Sequence, residues 1–181
     1  GFMLAPFVVA GSNPFRSMQS IVVYLVVYAA MNLGAFACII AMARQTRSAE
    51  LKDLAGIVRS MPGLAWCMVL FLASLIGMPP LGGWYAKFGV FKVVVGAETG
   101  LGYATAIIMA INTAIAAYYY LNVAKTMIFD DPPEGAPAHA PRTPPSLTAA
   151  IAISMVATFA FGVLPGLLTN VTSYGPLALG G

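Results

Sequence analysis

The chain has 181 residues, of which 60% are hydrophobic and only 8% are charged, and its mean hydropathy is +0.85. A soluble domain carries about 25% charged residues, so this composition argues against a water-soluble enzyme. The formal net charge is only +3 and the basic residues are not clustered, which argues against nucleic-acid binding.

Long stretches without any charged residue dominate the sequence, at 17–43, 60–86, 99–124 and 143–181. Each exceeds the roughly 20 residues that an α-helix needs to cross a hydrocarbon core of about 30 Å. Only helices and closed barrels span a bilayer, and a barrel would show alternating segments of about 10 residues. The sequence therefore predicts an all-α polytopic membrane protein.

The first predicted element is residues 1–11, which are apolar but too few to cross a membrane. They are followed by Ser12-Asn13-Pro14, a turn signal. They begin with neither an initiator Met nor a basic signal-peptide region, so we interpret them as the end of a helix that starts upstream. A transmembrane helix is predicted over 17–43 and a polar loop over 44–59, in which residues 48–53 favour a short interfacial helix.

The next predicted helix, 62–97, is interrupted at 77–83, where two prolines and three glycines cannot continue a regular helix. A further transmembrane helix is predicted over 101–129. The segment 130–146 contains six prolines and is typical of an extended or flexible linker. The last predicted helix is 147–170.

The interruption permits two topologies, either two spans joined by a turn or one crossing by a broken helix. Cytoplasmic loops are enriched in Lys and Arg, so the distribution of basic residues distinguishes them. One crossing places six basic residues on one side and Arg16 and Lys92 on the other; the six are Arg44, Arg47, Lys52, Arg59, Lys125 and Arg142. Two crossings give a five-to-three division, so the sequence favours one broken crossing, with 44–59 and 130–146 in the cytoplasm.

Lys87 is the strongest candidate for a functional residue, because it follows the interruption by four residues and no charge precedes it back to Arg59. A lysine near the middle of a membrane costs roughly 2.5–3.5 kcal/mol, so it must face a polar or wet interior. Broken helices at this depth supply polar backbone groups, and desolvation of the ammonium there favours proton exchange. The alternative is a lysine that extends to the interface from a helix end.

Four further polar residues lie deep in the predicted helices: Tyr28, Asn32, Ser74 and Asn112. Tyr28 and Asn32 are four apart and share one helix face. The functional interpretation is a hydrated line that relays protons. The alternative is interhelical hydrogen bonding, worth around 0.6–1 kcal/mol for each residue. Cys38, Cys67 and His139 have no metal-binding spacing, and we interpret the two thiols as buried and His139 as a solvated loop residue.

Three motifs carry a resemblance to a known family. The first is Tyr-Ala-Ala-Met-Asn-Leu-Gly-Ala-Phe from Tyr28, the second is Ser-Leu-Ile-Gly-Met-Pro-Pro-Leu-Gly-Gly-Trp-Tyr-Ala-Lys-Phe from Ser74, and the third is Ala-Tyr-Tyr-Tyr-Leu-Asn-Val from Ala117. With them the sequence resembles the antiporter-like membrane subunits of respiratory complex I, the NADH-quinone oxidoreductase, and among these subunit N. The resemblance extends from residue 1 to about 170.

The resemblance implies the C-terminal part of a fourteen-helix subunit in which helix 12 is broken and carries the titratable residue at Lys87. Related subunits often have a lysine or histidine on helix 11, where this chain has Tyr28 and Asn32. It also implies a bacterial inner-membrane location beside other complex I membrane subunits. NADH, FMN, iron–sulfur clusters and quinone would bind those other subunits, leaving no cofactor or metal in this chain.

Three hypotheses follow. The leading one is a proton-translocating subunit in which Lys87 takes up and releases a proton. The second is a subunit of a multisubunit cation/proton antiporter. The third is a membrane scaffold in which Lys87 is a packing cation only.

Overall fold

The computed structural model describes residues 2–11, 14–48, 50–133, 143–164 and 166. Within these ranges the regular structure is helical and contains no strand, which confirms the predicted all-α fold. Two short 3-10 turns, Leu51–Leu54 and Ile57–Arg59, connect the second and third helices. The α-helices are α1 Ala5–Val8, α2 Pro14–Thr46, α3 Pro62–Ile76, α4 Gly82–Val95, α5 Gly100–Phe129 and α6 Pro145–Val163.

Prolines set where several of these helices begin. Pro14, Pro62 and Pro145 are the first residues of α2, α3 and α6, a position where the missing N–H has no intrahelical partner to lose. The helix α2 is longer at both ends than the predicted helix 17–43. Absence of charge marks only the apolar part of a helix, and Arg16 and Arg44 continue it at either end. Most of segment 130–146, with His139, and the C-terminal part of segment 147–170 lie outside the described residues.

In the part of the chain that the structure describes, three helices are long and apolar enough to cross a membrane, namely α2, α5 and α6. The helices α3 and α4 have 15 and 14 residues, hence lengths of about 22 and 21 Å, too short for a core of about 30 Å. The 3-10 segment Leu51–Arg59 meets α3 at 116°, and that bent pair would make a fourth candidate span.

The helices α3 and α4 follow one another along α2 in a single antiparallel register. Three close contacts follow one another toward the N-terminus of α2. In α2, Gly34, Met31 and Val27 approach Phe71 and Ser74 of α3 and Gly82 of α4, in that order. Arg16 and Lys92 then line one cavity at the far end. The two short helices thus cover the length of α2 as one interrupted helix does, and the interruption lies beside the middle of α2.

The helix α5 supports the same arrangement, because its two ends contact the two ends of the interrupted pair. Near its C-terminus the carbonyl of Thr126 accepts a 3.0 Å hydrogen bond from the N–H of Gly56, just before α3. Near its N-terminus Gly102 packs against the carbonyl of Val94 in the last turn of α4. At 30 residues, or about 45 Å, α5 matches the combined length of α3 and α4.

Charge is distributed unequally between the two ends of the helices. One end carries the described basic residues Arg44, Arg47, Lys52, Arg59 and Lys125, whereas the other carries Arg16 and Lys92. The ion pairs Lys52–Glu50 and Arg59–Asp131, both at 2.8 Å, lie at the first end and are exposed. Hydrogen bonding to Glu50 raises the pKa of Lys52. Exposed pairs of this kind contribute little to stability.

Glycine permits the close approach of α4 to α3 and α6. A Cβ on Gly83 would overlap the carbonyl oxygen of Ser74, and one on Gly162 of α6 would overlap that of Pro80. These contacts are made to backbone atoms, which cannot rotate away as a side chain can. The interrupted region is therefore packed backbone against backbone.

We predict that Gly83→Ala destabilises the protein by about 1–3 kcal/mol, because the added methyl forces α4 away from the end of α3. Gly89→Ala is the matched control on the same helix, since a Cβ there meets nothing within 4 Å. That control is expected to be neutral or stabilising. The measurement is the thermal unfolding midpoint of the full-length protein in mild detergent; equal midpoints for the two variants would contradict the packing.

We predict that Glu50 and Asp131 lie on one side of the membrane and Glu98 on the other, as a single interrupted crossing requires. The measurement is labelling of Glu50→Cys, Asp131→Cys and Glu98→Cys by a membrane-impermeant maleimide in right-side-out and inverted vesicles. The background lacks the two native cysteines. Two separate crossings would instead place Glu50 with Glu98, opposite Asp131.

Candidate proton-carrying site at the helix break

The C-terminus of α3 ends in a left-handed glycine. Gly77 has φ +99°, which an L side chain rarely adopts. Its N–H donates to the carbonyl of Ser74 at 3.0 Å, and the N–H of Met78 donates to that of Ala73 at 3.0 Å. This pattern is a Schellman motif, which satisfies two of the last four carbonyls of the helix.

Lys87 of α4 satisfies the other two carbonyls. Its Nζ donates to the carbonyl of Leu75 at 2.7 Å and to that of Ile76 at 3.0 Å. The carbonyl end of a helix carries a partial negative charge, so an ammonium is favourable there. The side chain is partly buried, and its Nζ also lies 5.1 Å from the ring centroid of Phe2, a cation–π contact.

Ser74 joins the two halves of the break to α2. Its hydroxyl is fully buried, accepts a 3.1 Å hydrogen bond from the N–H of Gly83 and donates to Sδ of Met31 at 2.9 Å. The N–H of Gly83 is one of the first four in α4, which have no intrahelical carbonyl to bond. Ser74 therefore satisfies a donor that a continuous helix would have satisfied itself.

An aromatic row leads away from the ammonium of Lys87. Phe2 stacks on Tyr24 at 5.9 Å between centroids, and Tyr24 stacks on Tyr28 at 5.7 Å. Tyr120 on α5 is partly buried and packs against the core that contains Tyr24. The two phenol groups of α2 thus extend in a row from Phe2, which contacts Lys87.

The five predicted site residues occupy three different kinds of position. Lys87, Ser74 and, through the aromatic row, Tyr28 surround the break. Asn32 uses its amide to donate to the carbonyl of Tyr28 in its own helix at 3.0 Å. Asn112 lies on the exposed face of α5, so the structure does not bring it to the others.

Sequence reasoning missed four of the groups that form the site. The carbonyls of Leu75 and Ile76 carry no side-chain signal, although a Gly followed closely by Pro indicates a helix C-terminus with carbonyls to satisfy. Phe2 and Tyr24 resemble ordinary core aromatics in sequence, and only the fold brings them beside Lys87.

The arrangement can hold a cation and exchange a proton. Across the ranges that the structure describes, no three His, Cys, Asp or Glu side chains are grouped to bind a metal. No carboxylate lies within ion-pair distance of Lys87 in those ranges. Within those ranges the ammonium is therefore held by two backbone carbonyls and the ring of Phe2, with no opposite charge.

Apolar helices of spanning length around an interrupted helix define a polytopic membrane protein with an antiporter-like fold. The pattern of the family described as "NADH:quinone oxidoreductase/Mrp antiporter, TM" matches residues 1–116, more than half of the chain. The chain belongs to this family, which confirms the resemblance seen in its motifs.

Curated relatives with the name NADH-quinone oxidoreductase subunit N are similar to the chain. The protein from Parvibaculum lavamentivorans is 41% identical over 151 residues, 83% of this chain and 30% of the relative. That from Chloroflexus aggregans is 36% identical over 182 residues, 100% of this chain and 36% of the relative. The chain thus spans about a third of the length of these relatives.

A solved structure is similar as well. It is a chain of respiratory complex I from Thermus thermophilus with bound aureothin, with a TM-score of 0.70 and 27% sequence identity. The match covers 94% of this chain and 36% of that chain. The described helices therefore have the arrangement of part of a complex I subunit.

We predict that Lys87→Met destabilises the protein by about 1–3 kcal/mol, because the carbonyls of Leu75 and Ile76 lose their donor. Lys125→Met is the matched control, as Lys125 is an exposed lysine in the last turns of α5; its change is expected within about 0.5 kcal/mol. The measurement is the thermal unfolding midpoint in detergent. Equal midpoints for the two variants would show that Lys87 does not hold the end of α3.

Proposed function

We propose that this chain is part of a subunit N of the proton-pumping NADH-quinone oxidoreductase and contributes a section of its proton path. Relatives that carry this name, 36–41% identical over 83–100% of the chain, support the assignment. The similar chain in a respiratory complex I structure supports assembly with other membrane subunits. The bacterial relatives and the apolar helices support a multi-pass protein of the bacterial inner membrane.

The redox chemistry is assigned to other subunits of the proposed complex. By the resemblance to complex I membrane subunits, NADH, FMN, iron–sulfur clusters and quinone would bind there. The contribution of this chain is then the movement of protons through the membrane domain, coupled to quinone reduction elsewhere.

A subunit of a multisubunit cation/proton antiporter is the second candidate, because the matching family includes such antiporters by its own description. The names of the similar relatives favour the oxidoreductase. Purification distinguishes the two candidates, since a complex with flavin and iron–sulfur absorption supports the first.

We infer that Lys87 is the proton carrier of this section. The observation that carries this inference is its position: the ammonium lies at a helix break beside the middle of α2, bonded to the carbonyls of Leu75 and Ile76. A carboxylate partner at that depth would hold the proton firmly, whereas neutral carbonyls stabilise the charge without fixing it. Water that enters the broken region would deliver and remove the proton.

The proposed path continues from Lys87 and Ser74 toward Tyr28 and Asn32. Hydroxyl groups both donate and accept hydrogen bonds, so the phenols near Tyr28 can join a hydrated line. Asn32 donates its amide to the backbone carbonyl of Tyr28, one turn earlier in the same helix. Asn112 lies on the outer face of α5 and could join the line only where another helix covers that face.

We predict that Lys87→Arg retains most of the stability of the protein but lowers proton translocation per NADH oxidised. The guanidinium can donate to both carbonyls. The intrinsic pKa of arginine exceeds that of lysine by about two units or more. The neutral form of arginine is therefore at least about a hundredfold less populated. The measurement is the proton-to-NADH ratio of the complete complex in sealed vesicles, together with its unfolding midpoint.

Lys125→Arg serves as the control, since Lys125 is exposed near the end of α5. Lys87→Met is expected to lower both the ratio and the stability. If Lys87→Arg pumps as the unmodified complex does, the scaffold hypothesis is correct and Lys87 is a packing cation. If flavin and iron–sulfur absorption is missing from the purified complex, the assignment to the oxidoreductase fails independently of Lys87.

A further inference from the structure

The two cysteines of the sequence lie on helices that pack against each other, α2 and α3. Cys38 of α2 is fully buried, and Cys67 of α3 is partly buried against the same core. Both are free thiols. Their separation along the chain gives no metal-binding motif, so only the register of the two helices can bring them to one site.

Two contacts fix the register of α2 and α3. A Cβ on Gly34 of α2 would overlap the ring of Phe71 on α3. The hydroxyl of Ser74 on α3 donates to Sδ of Met31 on α2 at 2.9 Å. A step of three residues forward in α2 is therefore matched by a step of three residues back in α3, along one antiparallel seam.

The two thiols occupy the next level of this seam. Cys38 follows Gly34 by four residues in α2. Cys67 precedes Phe71 by four residues in α3. Residues separated by three and then four positions share one helix face, so each cysteine continues the face that makes the two contacts. The register therefore places the thiols opposite one another, about one helical turn beyond the preceding contact.

The surroundings of the two thiols restrict what they can bind. Both lie inside the charge-free runs 17–43 and 60–86. In the part of the chain that the structure describes, no third His, Cys, Asp or Glu is grouped with them, whereas a structural zinc ion needs four ligands. A monovalent soft ion between two thiolates would leave a negative charge among apolar residues, which is unfavourable. A divalent ion between two thiolates is neutral.

We propose that Cys38 and Cys67 form a two-thiol site for a divalent soft metal ion that accepts two ligands, for which Hg²⁺ is the probe. Soft ions select sulfur ligands, and binding releases the thiol protons. With HgCl₂, two S–H bonds and two Hg–Cl bonds break, two Hg–S bonds form, and two protons and two chloride ions leave. HgCl₂ is a neutral molecule that enters apolar surroundings, and the partly exposed Cys67 gives it access.

The test uses the purified full-length protein in detergent, with Cys38 and Cys67 as its only cysteines. Native mass spectrometry after addition of HgCl₂ should show one mercury for each chain, two hydrogens lost and no chloride retained. Binding of the second thiol is intramolecular, so Cys38→Ala and Cys67→Ala should each weaken mercury binding at least about a hundredfold against a competing monothiol. The unfolding midpoint of the unmodified protein should rise with mercury, because the ion joins α2 to α3.

The double variant Cys67→Ala/Trp66→Cys is the matched control. It keeps two thiols but moves one to the exposed side of α3, where Trp66 is 54% exposed. We expect it to bind two mercury ions, each with chloride, and to show no rise in midpoint. Two chloride-bearing mercury ions on the unmodified protein, or equal mercury retention by the unmodified protein and the control, would overturn the proposal. The mass of the adduct on the unmodified protein decides even where a variant fails to fold.

Discussion

The structure depends on satisfying the backbone groups that are freed where a helix is broken inside an apolar environment. No water is available in a hydrocarbon core to bond exposed carbonyls and N–H groups, so the protein must supply each partner. Gly77 provides the turn that satisfies two carbonyls of α3, and Lys87 bonds to the next two. Ser74 bonds to the freed N–H of Gly83. The candidate functional lysine is thus also a structural part of the break.

This constraint explains why small residues and polar residues occur together in the region. Gly83 must be small because the carbonyl of Ser74 occupies the space of a Cβ. With the backbones so close, a short hydroxyl is enough to connect α3, α4 and α2. Close packing also aligns α3 and α4 along α2 in one register, which brings the break beside Met31 in the middle of that helix.

Much of the fold was predictable because membrane helices are marked by the absence of charge. The interruption and the isolation of Lys87 were visible in the sequence for the same reason. The groups that Lys87 contacts were not, because backbone carbonyls have no sequence signature and Phe2 comes from a distant part of the chain. Asn112 was visible in the sequence but its position was not. A polar residue deep in an apolar run does not reveal which face of its helix it occupies, and Asn112 lies on the exposed face of α5.

The number of hydrogen atoms on the lysine nitrogen has one further consequence. A charged amine offers three hydrogens, of which two bond to the carbonyls of Leu75 and Ile76 while the nitrogen also faces the ring of Phe2. A neutral amine still has two hydrogens, and the end of α3 presents two carbonyls to it. Loss of one proton therefore leaves both carbonyls with a donor, so the valence of the nitrogen allows the charge to change while the helix end remains intact.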